Sequence, residues 1–117
     1  MNSEIKDQIV KTVKTAWTPL VENGIRHDGV FVKSLRYDVA MERSPSILLK
    51  FEPGASYPYH NHPGGEELFV LKGSCFVNDA CLEAGDYLYT HAGQKHGVKS
   101  EQGCEILFMI PEEVEIL

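Results

Sequence analysis

Positions 54–73 read GASYPYHNHPGGEELFVLKG, a stretch that joins two histidines, a glycine turn and two glutamates. His60 and His62 are two positions apart, so on a strand both imidazoles point to the same side. The turn at Pro63–Gly65 lets the chain reverse, and the next strand can bring the carboxylate of Glu66 back to the same point. The stretch therefore predicts a β-structure that presents two imidazoles and a carboxylate together.

A third imidazole belongs to a second stretch, GDYLYTHAGQKHGVKS, which covers positions 85–100 and contains His96. Three imidazoles and one carboxylate suit a divalent first-row transition metal, whereas calcium and magnesium prefer shells made only of oxygen. The alternative interpretation is that these histidines lie in surface turns. The glycine punctuation around the four residues favours a metal site, with these candidate ligands: His60, His62, Glu66 and His96.

Around these two stretches, short runs of apolar and aromatic residues alternate with glycine and proline turns. This alternating pattern is typical of an antiparallel β sandwich or barrel. The predicted strands are Gly29–Tyr37, Ser46–Phe51, Tyr57–His60, Glu67–Lys72, Ser74–Asn78, Tyr87–Thr90, Gly97–Lys99 and Glu105–Ile110.

The N-terminal segment has a different pattern. Apolar residues recur at helical spacing over residues 3–16, with lysines and Asp7 largely opposite, which predicts a short amphipathic helix. Asn2 or Ser3 could cap this helix, and Pro19 ends any continuation. We expect the helix to pack on the outside of the main fold.

Composition limits the class of protein. The chain has 117 residues, a formal net charge of −6 and three cysteines without a CxxC pair. The length fits one domain over 1–117, with 1–18 as helix and lead-in and 28–110 as barrel. The acidic balance argues against nucleic-acid and membrane partners, and we expect no secretory signal or membrane span. The odd number of cysteines indicates reduced thiols in a cytoplasmic protein.

Both histidine stretches resemble the two sequence motifs of the cupin superfamily. The spacing from Gly54 to Gly73 is similar to the first motif, and the spacing from Gly85 to His96 is similar to the second. The resemblance covers residues 17–110 and is closest to the ChrR-like cupins, typified by the C-terminal domain of a zinc-dependent anti-sigma factor. The expected fold is all-β, an antiparallel cupin β-barrel of the jelly-roll type with a short N-terminal helix. Segments that carry the ChrR-like resemblance are 58–67, Trp17–Leu20, Gly24-Ile25 and Gly103-Cys104.

The resemblance implies one divalent metal ion inside one end of the barrel. Iron or zinc is the expected metal, and manganese and nickel stay open. Glu67 competes with Glu66 as the carboxylate ligand, but the six residues between Glu66 and Gly73 match the motif and favour Glu66. His91 stands where the second motif usually has proline, and we interpret it as a turn residue. The alternative is a catalytic role or a role in supporting a metal ligand. The ligands that the resemblance implies are His60, His62, Glu66 and His96.

Two functions are compatible with such a site. The first is a small-molecule enzyme of the metal-dependent dioxygenase type, because small stand-alone cupins of this kind include oxygenases that cleave diketones and aromatic ketones. The alternative is a non-catalytic regulatory cupin that senses a ligand or stress, related to the anti-sigma cupin domain. We expect a small molecule in the barrel and a homodimer that pairs through edge strands. Residues that could form the dry wall of the barrel are Leu49, Phe51, Tyr57, Phe69, Phe76, Tyr87, Tyr89, Phe108 and Met109.

Overall fold

The computed structural model describes residues 4–117. Within this range the chain forms ten β-strands and two short 3-10 helices. None of these helices is long and apolar enough to cross a membrane. The strands are β1 (Thr18–Glu22), β2 (Ile25–Asp38), β3 (Arg43–Phe51), β4 (Ser56–Asn61), β5 (Glu66–Val77), β6 (Ala80–Glu83), β7 (Tyr87–Thr90), β8 (Lys95–Lys99), β9 (Cys104–Met109) and β10 (Glu115–Ile116).

The strands form a curled antiparallel sheet with the order β1-β2-β3-β9-β5-β8-β4-β10. Strand β5 joins the two sides of the barrel, because its first half pairs with β7 and β9 and its second half pairs with β6 and β8. The predicted all-β antiparallel fold is confirmed. This fold brings β4, β5 and β8 together at one end of the barrel, and this end contains the candidate site.

The core follows the alternation of apolar and polar residues along the strands. In β9, Cys104, Ile106 and Phe108 are buried, whereas the residues between them are only half-buried. Leu68 and Val70 of β5 are fully buried in the same apolar cluster. Burying one large apolar side chain stabilises a fold by about 1.5–3 kcal/mol, so these inward positions hold the barrel closed.

The predicted N-terminal helix is wrong. Between positions 4 and 16 the chain forms only two 3-10 turns, Ile5–Gln8 and Thr12–Lys14, with extended backbone at Ile9 and Lys11. None of the residues in the two turns is buried, so the apolar stripe has no surface to pack on. A helix this short and rich in β-branched residues is marginal without such packing. The proposed caps, Asn2 and Ser3, lie outside the described residues.

Two predicted strands are a single strand in the structure. The sequence predicts Glu67–Lys72 and Ser74–Asn78 with a turn at Gly73, but β5 runs through this position from Glu66 to Val77. Gly73 has a φ of +73°, and the register with β9 shifts between Val70 and Lys72. The glycine therefore bends the strand instead of ending it. Strands that the sequence did not predict are β1, β6 and β10.

Candidate metal centre and cavity

Four side chains meet at one end of the barrel. His60 lies on β4 and is paired with His96 of β8, His62 follows directly after β4, and Glu66 is the first residue of β5. The turn between the two halves contains Gly65, whose φ of +78° is unfavourable for other residues. Each of the four side chains is at most 3% exposed, and their ligand atoms all lie within 4.8 Å of one another. The structure thus forms a buried group that could bind a metal ion.

The ring nitrogens converge on one point. His62 Nε2 is 2.8 Å from His60 Nε2 and 2.9 Å from His96 Nε2. Glu66 Oε2 is 3.3 Å from His62 Nε2, and Glu66 Oε1 is 3.4 Å from His96 Nε2. His60 Nδ1 donates a hydrogen bond of 2.7 Å to the carbonyl of Pro58, so the neutral ring presents a lone pair at Nε2. A proton on His62 Nε2 could be donated to only one of the two neighbouring Nε2 atoms, those of His60 and His96. Nitrogen lone pairs that converge beside a carboxylate fit a bound cation.

Burial controls the charge of this cluster. It lowers the pKa of His62 to about 3, and the nearby His60 and His96 rings add to the effect. Burial also lowers the pKa of His60 to about 4, although the hydrogen bond to Pro58 opposes this shift. The pKa of Glu66 is raised by burial, with the hydrogen bond from His96 acting in the other direction. Near neutral pH, His60 and His62 therefore keep the uncharged form that binds metal.

Two further candidates lie away from the cluster. Glu67 faces the outer side of β5, where its Oε1 accepts a hydrogen bond of 2.7 Å from the hydroxyl of Tyr87. His91 is exposed in the turn after β7, and its ring lies against Tyr89 with 4.9 Å between the centroids. The backbone N–H of His91 donates to the side chain of Gln94. The structure places His91 within a local turn and does not bring it to the four clustered residues.

The cluster borders a cavity of about 280 Å³. Two of the four residues, His60 and Glu66, belong to the cavity wall. Most of the remaining wall is apolar, which suits a small organic molecule. The predicted wall residues that do line it are Leu49, Phe51, Tyr57 and Phe108.

Five other predicted wall residues are wrong, because none of them lines the cavity. Met109 is half-buried on β9, and the side chains of Phe69, Phe76, Tyr87 and Tyr89 are 37–54% exposed on the outside of the barrel. Phe69 and Phe76 alternate with buried neighbours, and neighbouring side chains of a strand point to opposite faces. Composition alone identified these residues as apolar, but only the strand register determines which face they occupy.

Two polar residues beside the cavity were missed. Glu22 on β1 lines the cavity, and its Oε1 accepts a hydrogen bond of 2.5 Å from the hydroxyl of Tyr57. His27 on β2 is buried, with Nε2 at 3.0 Å from the same carboxylate oxygen. The sequence gives no signal for this pair, because β1 is not evident from its residues and His27 has no partner at a ligand spacing.

Residues 5–114 match the family of the ChrR Cupin-like domain. The chain belongs to this cupin family. Among solved structures it is similar to a candidate acetylacetone dioxygenase from Methylibium petroleiphilum PM1, with 21% identity, a TM-score of 0.81, and 100% of this chain and 85% of that chain covered. It is also similar to the acetylacetone dioxygenase of Acinetobacter johnsonii, with 16% identity, a TM-score of 0.74, and coverage of 86% and 71%. These likenesses show that the ChrR-like cupin has the cupin fold.

One curated relative of this ChrR-like cupin is the DNA damage-repair/toleration protein DRT102 of Arabidopsis thaliana. The two are 36% identical over 73 residues, which are 57% of this chain and 24% of that protein. The match thus spans about a quarter of the length of the plant protein.

Proposed function

We propose that this ChrR-like cupin binds one divalent metal ion and is a small-molecule enzyme of the metal-dependent dioxygenase type. The proposed ligands are His60, His62, Glu66 and His96. The observation that supports this function best is that two of the four proposed ligands, His60 and Glu66, line the 280 Å³ cavity. A purely structural metal site is closed, whereas a catalytic one keeps access for substrate.

The residues of the site supply position and charge. The hydrogen bond from His60 to Pro58 fixes one ring, and the strand pairing of His60 with His96 holds a second ring opposite. Glu66 contributes the one carboxylate, which would leave a bound divalent ion with a formal charge of +1. The metal, when bound, would polarise an oxygen-chelating substrate or, if it is iron, allow chemistry with dioxygen. The apolar wall excludes water from the same space.

The substrate class that we propose is a small ketone or diketone that chelates through neighbouring oxygens. Support comes from the size and apolar lining of the cavity and from the structural likeness to acetylacetone dioxygenases. We propose iron as the metal of this activity, because cleavage by dioxygen needs a redox-active ion. Zinc would instead imply Lewis-acid chemistry without redox.

A regulatory cupin is the second candidate, and the match to the ChrR Cupin-like family favours it. In that case the cavity would hold a signalling ligand without turnover.

Both candidates include a cytoplasmic location, where the three free thiols would remain reduced. The hydrogen bond with Cys104 and burial raise the pKa of Cys75, which disfavours its reactive thiolate form.

The test is elemental analysis of protein purified anaerobically from its own source, with oxygen uptake followed on the same sample against a panel of diketones. Stoichiometric iron with substrate-dependent uptake is the expected result. Stoichiometric zinc without uptake would contradict the dioxygenase and favour either an enzyme without redox chemistry or the regulatory cupin. Protein without any bound metal would contradict both candidates.

A further inference from the structure

Glu22 forms a polar contact point in a cavity that is otherwise mostly apolar. Its Oε1 accepts the hydrogen bond from Tyr57 and lies 3.0 Å from His27 Nε2. Among residues 4–117, no hydrogen bond or ion pair involves its other oxygen, Oε2. His27 is only 8% exposed, and its Nε2 has no well-aligned hydrogen bond. Tyr57 and His27 therefore orient the Glu22 carboxylate, but they leave part of its hydrogen-bonding capacity unused.

The backbone is shaped to form this group. His27 and Val30 are both buried although they are three positions apart, which regular strand alternation does not allow. The pairing of β1 with β2 is irregular between Pro19 and Val21, and Gly29 of β2 has a φ of +74°. A Cβ at Gly29 would lie 2.9 Å from the Cβ of Ala55, so the glycine also permits close packing. This bulge turns His27 inward, and bulges of this kind often re-aim a side chain beside an active site.

Tyr57 connects this group to the ligand cluster. Its ring is nearly perpendicular to that of His60 with 4.8 Å between the centroids, and it lies at the same distance from the ring of His27. Both Tyr57 and Glu22 line the cavity that His60 and Glu66 also line. Tyr57 thus contacts both Glu22 and the ligand cluster, and a small molecule in the shared cavity could contact both groups.

We infer that Glu22 determines the ligand specificity of the cavity. In this inference, which rests on the proposed function, the ligand chelates the metal at one end and donates a hydrogen bond to Glu22 from a hydroxyl or amino group at the other. A carboxylate oxygen beside apolar walls is costly to desolvate unless the ligand supplies a donor. Hydrogen bonds to a charged acceptor are about twice as strong as neutral ones, so the preference is measurable.

Two other charged residues line the cavity and help to choose between ligand classes. Glu113 has no hydrogen-bond or ion-pair partner among the described residues, so it is less well oriented than Glu22. Arg43 donates a hydrogen bond of 2.7 Å to the carbonyl of Ile110. Two carboxylates against one guanidinium give the wall an excess of negative charge beyond the ligand cluster. The lining therefore favours a ligand whose end away from the metal is a neutral or cationic donor over one whose far end is anionic.

The test compares two pyranones that differ by one hydroxyl. Kojic acid and allomaltol chelate metals through the same two oxygens, but kojic acid carries a hydroxymethyl group where allomaltol has a methyl group. Full-length protein is loaded with Zn²⁺, which has no redox chemistry, and titrated with each compound by calorimetry. We expect kojic acid to bind about tenfold tighter. The Glu22→Leu variant should lose this preference, whereas the matched Glu113→Leu variant should keep it.

Metal content is measured in every sample, so that the two proposals fail separately. If the wild-type protein holds neither Zn²⁺ nor Fe²⁺, the proposed function fails and the inference falls with it. If Zn²⁺ is bound but the two pyranones bind equally well, or neither binds, the inference is overturned while the metal site stands. An unchanged preference in Glu22→Leu overturns it as well. Should Glu22→Leu fail to fold, Glu22→Gln keeps the shape and is expected to reduce the preference for kojic acid.

Discussion

At the scale of single residues, His62 is the centre of the ligand cluster. Its Nε2 lies within 3.3 Å of atoms of all three other candidates. We expect His62→Ala to lower metal affinity by at least about a hundredfold, because losing a ligand costs more than losing one of its supporting contacts. The check is metal content per chain after dialysis, with the far-UV spectrum as a control for folding. Full occupancy in the folded variant would show that the ligand assignment is wrong.

The role of His91 is a separate question at the same scale. Its exposed ring contacts Tyr89, and its backbone is held by Gln94, so we expect His91→Ala to keep its metal. The matched variant is His96→Ala, which removes one of the clustered rings and should lose the metal. Both are measured by elemental analysis under one protocol. Equal loss in the two variants would establish that His91 is needed for metal binding.

The residue scale also shows what the sequence can predict about a site. Three of the clustered residues, His60, His62 and Glu66, follow from short spacings, since i and i+2 positions of a strand and a glycine turn fix their directions. His96 lies 34 positions after His62, and the resemblance of its stretch to the second cupin motif assigns it to the same site. The group of Glu22, His27 and Tyr57 joins β1, β2 and β4, and it depends on a bulge at Gly29. Neither a short spacing nor a motif links these three residues. This part of the cavity could be recognised only in the folded structure.

At the scale of elements, the bend in the middle of β5 depends on a glycine at position 73. A Cβ there would overlap the carbonyl oxygen of Gly103, and the φ of +73° is unfavourable for alanine. We expect Gly73→Ala to lower the free energy of unfolding by about 2–4 kcal/mol, from strain and overpacking together. Gly85→Ala is the matched control, because Gly85 also has a positive φ but has open space around it. Urea denaturation of both variants gives the difference, and equal losses would exclude a role for the close contact.

Strands that carry several inward apolar residues were predictable, whereas three short strands were not. Buried positions recur along β3 and β9, and the sequence predicts both strands. The missed strands β1, β6 and β10 bury at most one residue each. Residues 5–14 show helical spacing, yet nothing packs against them, so spacing alone gives the wrong element. Periodicity reports a possible buried face, and only the tertiary structure supplies the surface that buries it.

At the scale of the whole molecule, the expectation of a homodimer stays a prediction, and the structure shows where it can be tested. Strand β7 is an edge that pairs only with β5 among the described residues. On the outer face, Phe69 of β5 lies opposite Tyr87 and Leu107, which makes an apolar patch beside this edge. Phe76 is on the same strand and equally exposed, at 38% against 37%, but it lies opposite Lys99 and Cys81.

We therefore expect light scattering to give twice the chain mass of 13.1 kDa for the wild-type protein. A charge inside a desolvated apolar interface is costly, so Phe69→Lys should shift the mass to that of one chain. Phe76→Lys adds the same charge at the same exposure, and it should leave the dimer intact because its surroundings are already polar. A wild-type mass of one chain would contradict the homodimer, whereas a dimer that survives Phe69→Lys would place the interface elsewhere.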